Sequence, residues 1–448
     1  MNTLIDVLSE PAILVAFIAL VGLLVQKKKT SDIIKGTIKT FVGFLVIQAG
    51  AGILETSLAP FGLMFQEAFN IAGVVPNNEA IVALALNEYG TNTALIMFFG
   101  MIANILIARF TRFKYIFLTG HHTLYMACML AVIMAVAGFD TIPLIIAGSV
   151  ALGIIMALSP AIVQPFMREL TGNDNVALGH FSAVGYAVSG YVGRIFKKDK
   201  EHSTENINFP KGLGFLRDST VSIAITMIIM YFIVALFAGS TFIEAELSGG
   251  TNFLVFSLIQ AGNFAAGVFV ILAGVRLVLA EIVPAFKGIS TKLVPNAKPA
   301  LDVPIIFTFA PNAVLIGFFS SFVGGIVSLA IMLAVGSTVI LPGVVPHFFT
   351  GAAAGVFGNT TGGIKGSVAG SFVNGVIVSF LPLLLMPVLG DLGFASTTFS
   401  DADFGVSGLF FGTLANYAGP FAIVASLIVI LVLMVIPFKK KTAEVKAK

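Results

Sequence analysis

The sequence predicts an all-α polytopic membrane protein of about eleven transmembrane helices with re-entrant hairpins, and three observations carry that prediction. Hydrophobic residues make up 57% of the 448 and charged residues only 10%, with a mean hydropathy of +1.02. A soluble domain has about a quarter of its residues charged. Apolar runs recur at the length that a hydrocarbon core about 30 Å thick requires, about 20 residues per helix. Every Lys and Arg falls between those runs or at their ends, at 27–39, 109–114, 168–217, 276–298, 365 and 439–448.

In order, the spans are 12–26, 36–55, 93–110, 115–137, 141–159, 219–240, 253–280, 313–335, 344–364, 367–389 and 420–438. The first follows two acids, ends in Lys27-Lys28-Lys29 and has no small-residue cleavage site, so it reads as a span rather than a signal peptide. With the N-terminus outside, eleven crossings put every basic cluster on the cytoplasmic side, as retention of positive charge inside requires. The net charge of +3 is then membrane anchoring, and nucleic-acid binding is excluded. The Gly- and Pro-rich stretches 60–92, 160–195 and 400–419 are expected to dip into the membrane and return. Such backbone is tolerated only where protein or a wet cavity satisfies its polar groups. The charged stretch 197–218 is expected to be the largest cytoplasmic surface.

The halves echo each other. Ile81–Asn87 matches Ile306–Asn312, Phe117–Gly120 matches Phe348–Gly351, Asp174 and Gly179 match Asp403 and Gly408, and Lys35-Gly36 matches Lys287-Gly288. Five spans per unit flip the second copy, giving two inverted five-helix repeats with a site at the midplane. The expected divisions are 1–218 (first repeat and linker), 219–419 (second repeat) and 420–448 (final span and basic tail).

Polar residues at membrane depth form a short list. His121 and His122 open the fourth span, with Tyr125 one turn after His121 on the same face. His180 follows Gly179, Asp302 precedes Pro304, and Asn78 and Glu79 sit in the first dip. Ionisable groups in hydrocarbon are expensive and mark cavities or pathways. His121 and His180, each preceded by a glycine, and Asp302, just before Pro304, read as a lining able to hydrogen-bond a polyol or sugar acid. Arg276 with Glu281 reads as a structural pair, Gln48 and Gln260 as links between helices, and His347 as a solvated outer residue. No metal is expected, because His121 and His122 are adjacent and diverge on a helix. No phosphate-cradling glycine motif is present and no cofactor is expected. Asp302 is the best candidate for a general base, and the one thiol, Cys128, sits inside a span.

The runs Ile33–Thr40, Leu118-Thr119-Gly120-His121, Leu178-Gly179-His180, Phe286–Ser290 and Phe309–Val314 resemble the ascorbate-specific membrane subunit (enzyme IIC) of the bacterial phosphotransferase system. The resemblance implies a homodimer in the bacterial inner membrane, each protomer a core domain plus a V-shaped scaffold domain. A sugar acid would bind between the two, and a rigid-body, elevator-type movement would carry it inward. A separate IIB phosphocysteine protein, served by IIA, would then phosphorylate it, and the chain would carry no phosphorylated residue of its own. The implied contacts are Asn78, Glu79, His121, Tyr125, His180, Phe181 and Asp302. Glutamine stands in the family where this chain has Tyr125 and Phe181, so a related sugar acid or polyol is an alternative to L-ascorbate. A different class is a proton-coupled secondary transporter using His121, His180 or Glu88 as proton carriers.

Overall fold

Apolar, Leu-, Ile-, Ala- and Phe-rich runs satisfy their backbone internally as helices, and helices dominate the chain. The computed structural model describes residues 11–69, 74–76, 78–207, 219–394 and 397–436. The first half contains α1 (Pro11–Val25), α2 (Thr30–Phe69), β1 (Val75–Pro76), α3 (Asn78–Phe110), β2 (Tyr115–Phe117), α4 (Gly120–Val136), α5 (Thr141–Thr171), β3 (Ala177–Leu178) and α6 (Ala183–Ile195). The second half contains α7 (Ser219–Ala238), α8 (Phe253–Lys292), β4 (Lys298–Leu301), α9 (Pro311–Ala334), α10 (Val344–Leu385), β5 (Thr397–Thr398) and α11 (Ala402–Val435).

Among the described residues, five helical stretches are long and apolar enough to cross a membrane: Glu88–Phe110, Thr141–Thr171, Pro311–Ala334, Val345–Gly390 and Ala402–Val435. A further pair, Met227–Ala238 with Ser240–Leu247, is bent by 99°. Large apolar side chains such as Ile142, Phe237 and Phe421 face outward, as lipid-facing positions do. The protein is a helical, polytopic membrane protein.

Two of these long elements are interrupted where the sequence placed a break. In α10 the chain reverses at Gly363 (φ 63°, ψ −151°), a conformation that L side chains rarely adopt. The two arms then pack on each other: Ser371 Oγ donates to Gly351 O (3.2 Å) and Asn374 Nδ2 to Thr350 Oγ1 (3.0 Å). In α11 the break falls at Ala418-Gly419, between the expected re-entrant stretch and the last span.

Elsewhere the helices run longer than expected. α5 continues through Pro160 and Pro165 to a left-handed cap at Gly172, so the stretch from 160 does not dip until β3. A proline removes one backbone hydrogen bond, which a long, packed apolar helix tolerates. α2 likewise passes Pro60, and α3 starts at Asn78, leaving only a short break where a dip over 60–92 was expected. Residues 70–73 and 77 of that break lie outside the described residues, as do 208–218 of the cytoplasmic linker and 437–448.

Two small parallel sheets knit the halves together. β4 lies between β2 and β3, with Phe117 and Ala177 both in register with Ala300. Conversely, β1 pairs with β5, and Val74 bridges to Ile340. Each sheet thus inserts a strand from one half between segments of the other. Helices α1, α2, α7 and α8 pack together around a core including Phe61, Tyr231 and Phe264. Helices α3, α4, α5 and α11 pack around Met126–Met134, and α6, α9 and α10 around Phe166, Tyr186 and Phe357.

Candidate functional site

The three strands of the first sheet run parallel and deliver the residues that follow them to one place. After β2, Leu118 N–H donates to Ala300 O (3.0 Å) and Thr119 Oγ1 to Gly179 O (2.5 Å). That fixes the start of α4 and puts His121 and His122 in its first turn. After β3, Gly179 N–H donates to Leu301 O (2.7 Å) and presents His180. A Cβ on Gly179 would sit 2.5 Å from Ala300 O, so only glycine lets β3 lie this close. After β4 comes Asp302. Its carboxylate stands 3.1 Å from His180 Nδ1 and 3.6 Å from His121 Nε2. The expected trio is assembled.

The second sheet feeds the same centre. Asn78 follows β1, and Ser400-Asp401 follow β5. Ser400 N–H donates to Asn78 Oδ1 (3.0 Å), and Asn78 Nδ2 donates to Asp401 Oδ2 at 3.4 Å. The same Asp401 oxygen lies 3.6 Å from His180 Nε2 and 3.9 Å from His122 Nε2. The starts of α6 and α11 cap each other: Ala402 N–H donates to Ser182 Oγ (3.2 Å), and Val184 N–H donates to Asp403 Oδ1 (2.9 Å). Ser159 Oγ also donates to Asp403, at 2.6 Å. Orphan N–H groups of two helix starts are thereby satisfied without water.

The centre has two layers. His121 and Asp302 retain side-chain exposures of 23% and 16% and form its accessible face. His122, His180 and Asp401 are buried behind them. Tyr125 is edge-on to His121, ring centres 5.8 Å apart. Phe181 is fully buried and stacked on Phe117 at 4.5 Å, so its ring belongs to the packing behind the imidazoles. The side chains of Glu79, Gln48, Arg276 and Glu281 lie outside the described residues. His347 is not solvated as expected. It is buried, with Nδ1 2.9 Å from Ser321 Oγ and its ring against Phe322.

Three residues of the centre escaped the sequence reading: His122 as a member, Asp401 and Asp403. The divergence expected of His121 and His122 does not separate them from the site, because acceptors approach the helix start from two sides. Ligand atoms of His121, His122 and Asp302, and of His122, His180 and Asp401, lie within 4.8 Å of one another in each group. Each group is a compact cluster of two imidazoles and one carboxylate. Asp401 and Asp403 add two carboxylates to Asp302 at this centre. The signal for the other two was present: Ser400-Asp401-Ala402-Asp403 opens a glycine-rich apolar helix. Together the groups can donate to and accept from several hydroxyls and can move a proton.

At the opposite end of the first sheet, Lys298 Nζ is 2.5 Å and Arg168 Nε 2.9 Å from the Asp174 carboxylate, which Gln164 also contacts at 2.7 Å. Burial pushes this carboxyl up, but the hydrogen bonds from Lys298, Arg168 and Gln164 outweigh it and bring it down to about 2.

A polytopic helical bundle with broken helices meeting at a buried polar centre is the plan of a membrane permease. Residues 6–403 match the model of the EIIC-GAT family, described as the PTS system sugar-specific permease component, and the chain belongs to that family. It is similar to the ascorbate-specific PTS system EIIC component of Mycoplasma pneumoniae (strain ATCC 29342 / M129 / Subtype 1). The two are 26% identical over 449 residues, covering 88% of this chain and 66% of the relative, so this chain spans just under two thirds of that protein's length.

Proposed function

We propose that the chain is the membrane component of a phosphotransferase complex that takes up L-ascorbate or a closely related sugar acid and presents it for phosphorylation. The observation that carries this reading is the convergence of His121, His180 and Asp302 at the ends of strands from both halves. Its accessible face offers an imidazole and a carboxylate to hydroxyl groups, and the named substrate of the Mycoplasma relative is a sugar acid. Asn78, Glu79 and Tyr125 complete the proposed contacts, and Phe181, expected among them from the resemblance, packs behind the imidazoles instead. Asp302 accepts the proton of the solute hydroxyl as phosphorus passes to it from the cysteine sulfur of a separate IIB protein. IIA recharges IIB, which docks on the cytoplasmic loops around 197–218.

Eleven crossings fit the helices if the two arms of α10 are counted separately and α6 and the first arm of α11 are re-entrant. Inverted repeats fit the recurrence of element order, with α2 and α8 both 40 residues long, and the exchange of strands between halves. In this reading the units divide at 218 and 419, α1, α2, α7 and α8 form the V-shaped scaffold of a homodimer, and the remaining helices form the core that moves. The N-terminus lies outside and the C-terminus in the cytoplasm of the bacterial inner membrane.

The test is ascorbate binding to the detergent-purified full chain, with xylitol and galactitol as competitors, followed by uptake into vesicles. Uptake that needs phosphoenolpyruvate and yields a phosphorylated product supports the proposal. Uptake abolished by an uncoupler alone, with unmodified product, replaces it with proton-coupled secondary transport.

A further inference from the structure

The site has more carboxylates than a receptor for an anion should tolerate, and the geometry around His180 shows how this is resolved. His180 Nδ1 lies 3.1 Å from Asp302 Oδ1, an acceptor, so this nitrogen carries a hydrogen. Its other nitrogen, Nε2, is completely buried and has no hydrogen-bond partner, yet it faces Asp401 Oδ2 at 3.6 Å. A neutral His180 would therefore turn a lone pair toward the lone pairs of a buried carboxylate, which is costly on both sides. One additional proton on the His180 Nε2–Asp401 Oδ2 pair removes the conflict. The rest of the shell does not supply it. Asn78 Nδ2 (3.4 Å) and Ser400 Oγ (2.9 Å) already donate to Asp401. Phe181 N–H approaches His122 Nδ1 at 3.5 Å, leaving the hydrogen of a neutral His122 on Nε2, toward Asp401. His121 meets Asp302, Asp403 is occupied by Ser159 and Val184, and Tyr186 stacks on the His180 ring at 5.8 Å. Among the described residues, every ion pair of Asp302 and Asp401 is to a histidine; neither meets a Lys or Arg.

We infer that His180 and Asp401 share a proton taken from bulk water, and that the site admits an anionic solute only while this proton is in place. Asp401 is thus a specificity-determining residue: it sits behind the accessible face and sets the charge of His180, whose other ring nitrogen meets Asp302 on that face. This inference rests on the proposed sugar-acid site. Linkage gives its signature. Affinity for a monoanion is highest at acidic pH and falls as pH rises through the titration of the pair, approaching about a tenfold loss per pH unit. A neutral polyol lacks this dependence.

The experiment uses the full chain in detergent. Ascorbate affinity is measured by calorimetry from about pH 6 to pH 9, in buffers of different ionisation enthalpy, for the natural chain and Asp401→Asn. In parallel, nitrogen NMR of labelled histidines follows Nε2 of His180 in the ligand-free protein, assigned with His180→Gln. The expected result is weaker binding with rising pH, proton uptake on binding at the alkaline end, and a one-proton step at Nε2. In Asp401→Asn, whose amide can donate to Nε2, both the pH dependence and the step are expected to vanish. Ascorbate binding that is flat with pH, or an Nε2 that stays bare across the range, overturns the inference. A proton step with no ascorbate binding at all would instead retire the sugar-acid reading and leave the shared proton standing.

Discussion

Asp302 touches two imidazoles and remains partly accessible, which suits a group that accepts a proton from a solute hydroxyl. General-base assistance contributes about 10²–10⁴-fold, so Asp302→Asn is expected to lower phosphorylation by that order. Its effect on ascorbate affinity should be only about tenfold, the worth of roughly 1.4 kcal/mol in lost hydrogen bonding. Equal losses in a binding assay and a phosphorylation assay remove the base role. Phe181 presents the opposite case. With its ring stacked on Phe117 and sealed from solvent, Phe181→Ala is expected to cost about 3–5 kcal/mol of stability. The loss is read as lower thermal stability of the detergent-solubilised chain, with little change in which solutes compete. His121, His180 and Asp302 were legible because the membrane makes ionisable residues conspicuous. The position of Phe181 was not, because a residue beside a site residue in sequence can point to either side of the backbone.

At the level of elements, glycine marks both breaks inside long helices, Gly363 and Gly419, and a proline accompanies only the second, as Pro420. Gly363 has a left-handed φ, and a Cβ there would press on the carbonyls of Asp199 and His202 in the linker. Gly363→Ala is therefore expected to destabilise the α10 hairpin by about 1–3 kcal/mol. Increased proteolysis of the linker after 196 would report it, and unchanged proteolysis would count against the fit of linker to hairpin. Pro60, Pro160 and Pro165 look like equally strong breaks in the sequence, yet each sits inside a continuous helix. In a long apolar helix the loss of one hydrogen bond is small against the packing of the remaining turns. The strands were invisible for a different reason. Two to four residues carry no periodicity, and their pairing joins positions such as Phe117 and Ala300, far apart in the chain. The match drawn between Asp174 and Asp403 suffers likewise. Asp174 lies in a polar cluster with Lys298, whereas Asp403 caps the start of α6.

For the whole molecule, orientation and acid stability are the accessible tests. Cys128 is buried, so introduced thiols can be read against a silent background. In intact cells Asp140→Cys is expected to react with an impermeant maleimide, and Glu201→Cys only after permeabilisation; the reverse pattern inverts the topology. The Asp174 carboxyl titrates near 2 in the folded chain, below its ordinary value of 3.8. A depressed carboxyl favours folding above the unfolded value, and that contribution disappears as pH falls from about 4 to about 2. Asp174→Asn is expected to flatten the loss of thermal stability over that interval. The woven sheets also bear on how such a molecule is made. β3 leaves the ribosome well over a hundred residues before β4, the strand that fills the gap between it and β2. Until then the nascent N-terminal portion carries an open slot in the bilayer, and α6 stays uncapped until Asp403 follows. Separately expressed halves should be degraded when alone and rescued when produced together, so completion of either portion is a joint event of biogenesis.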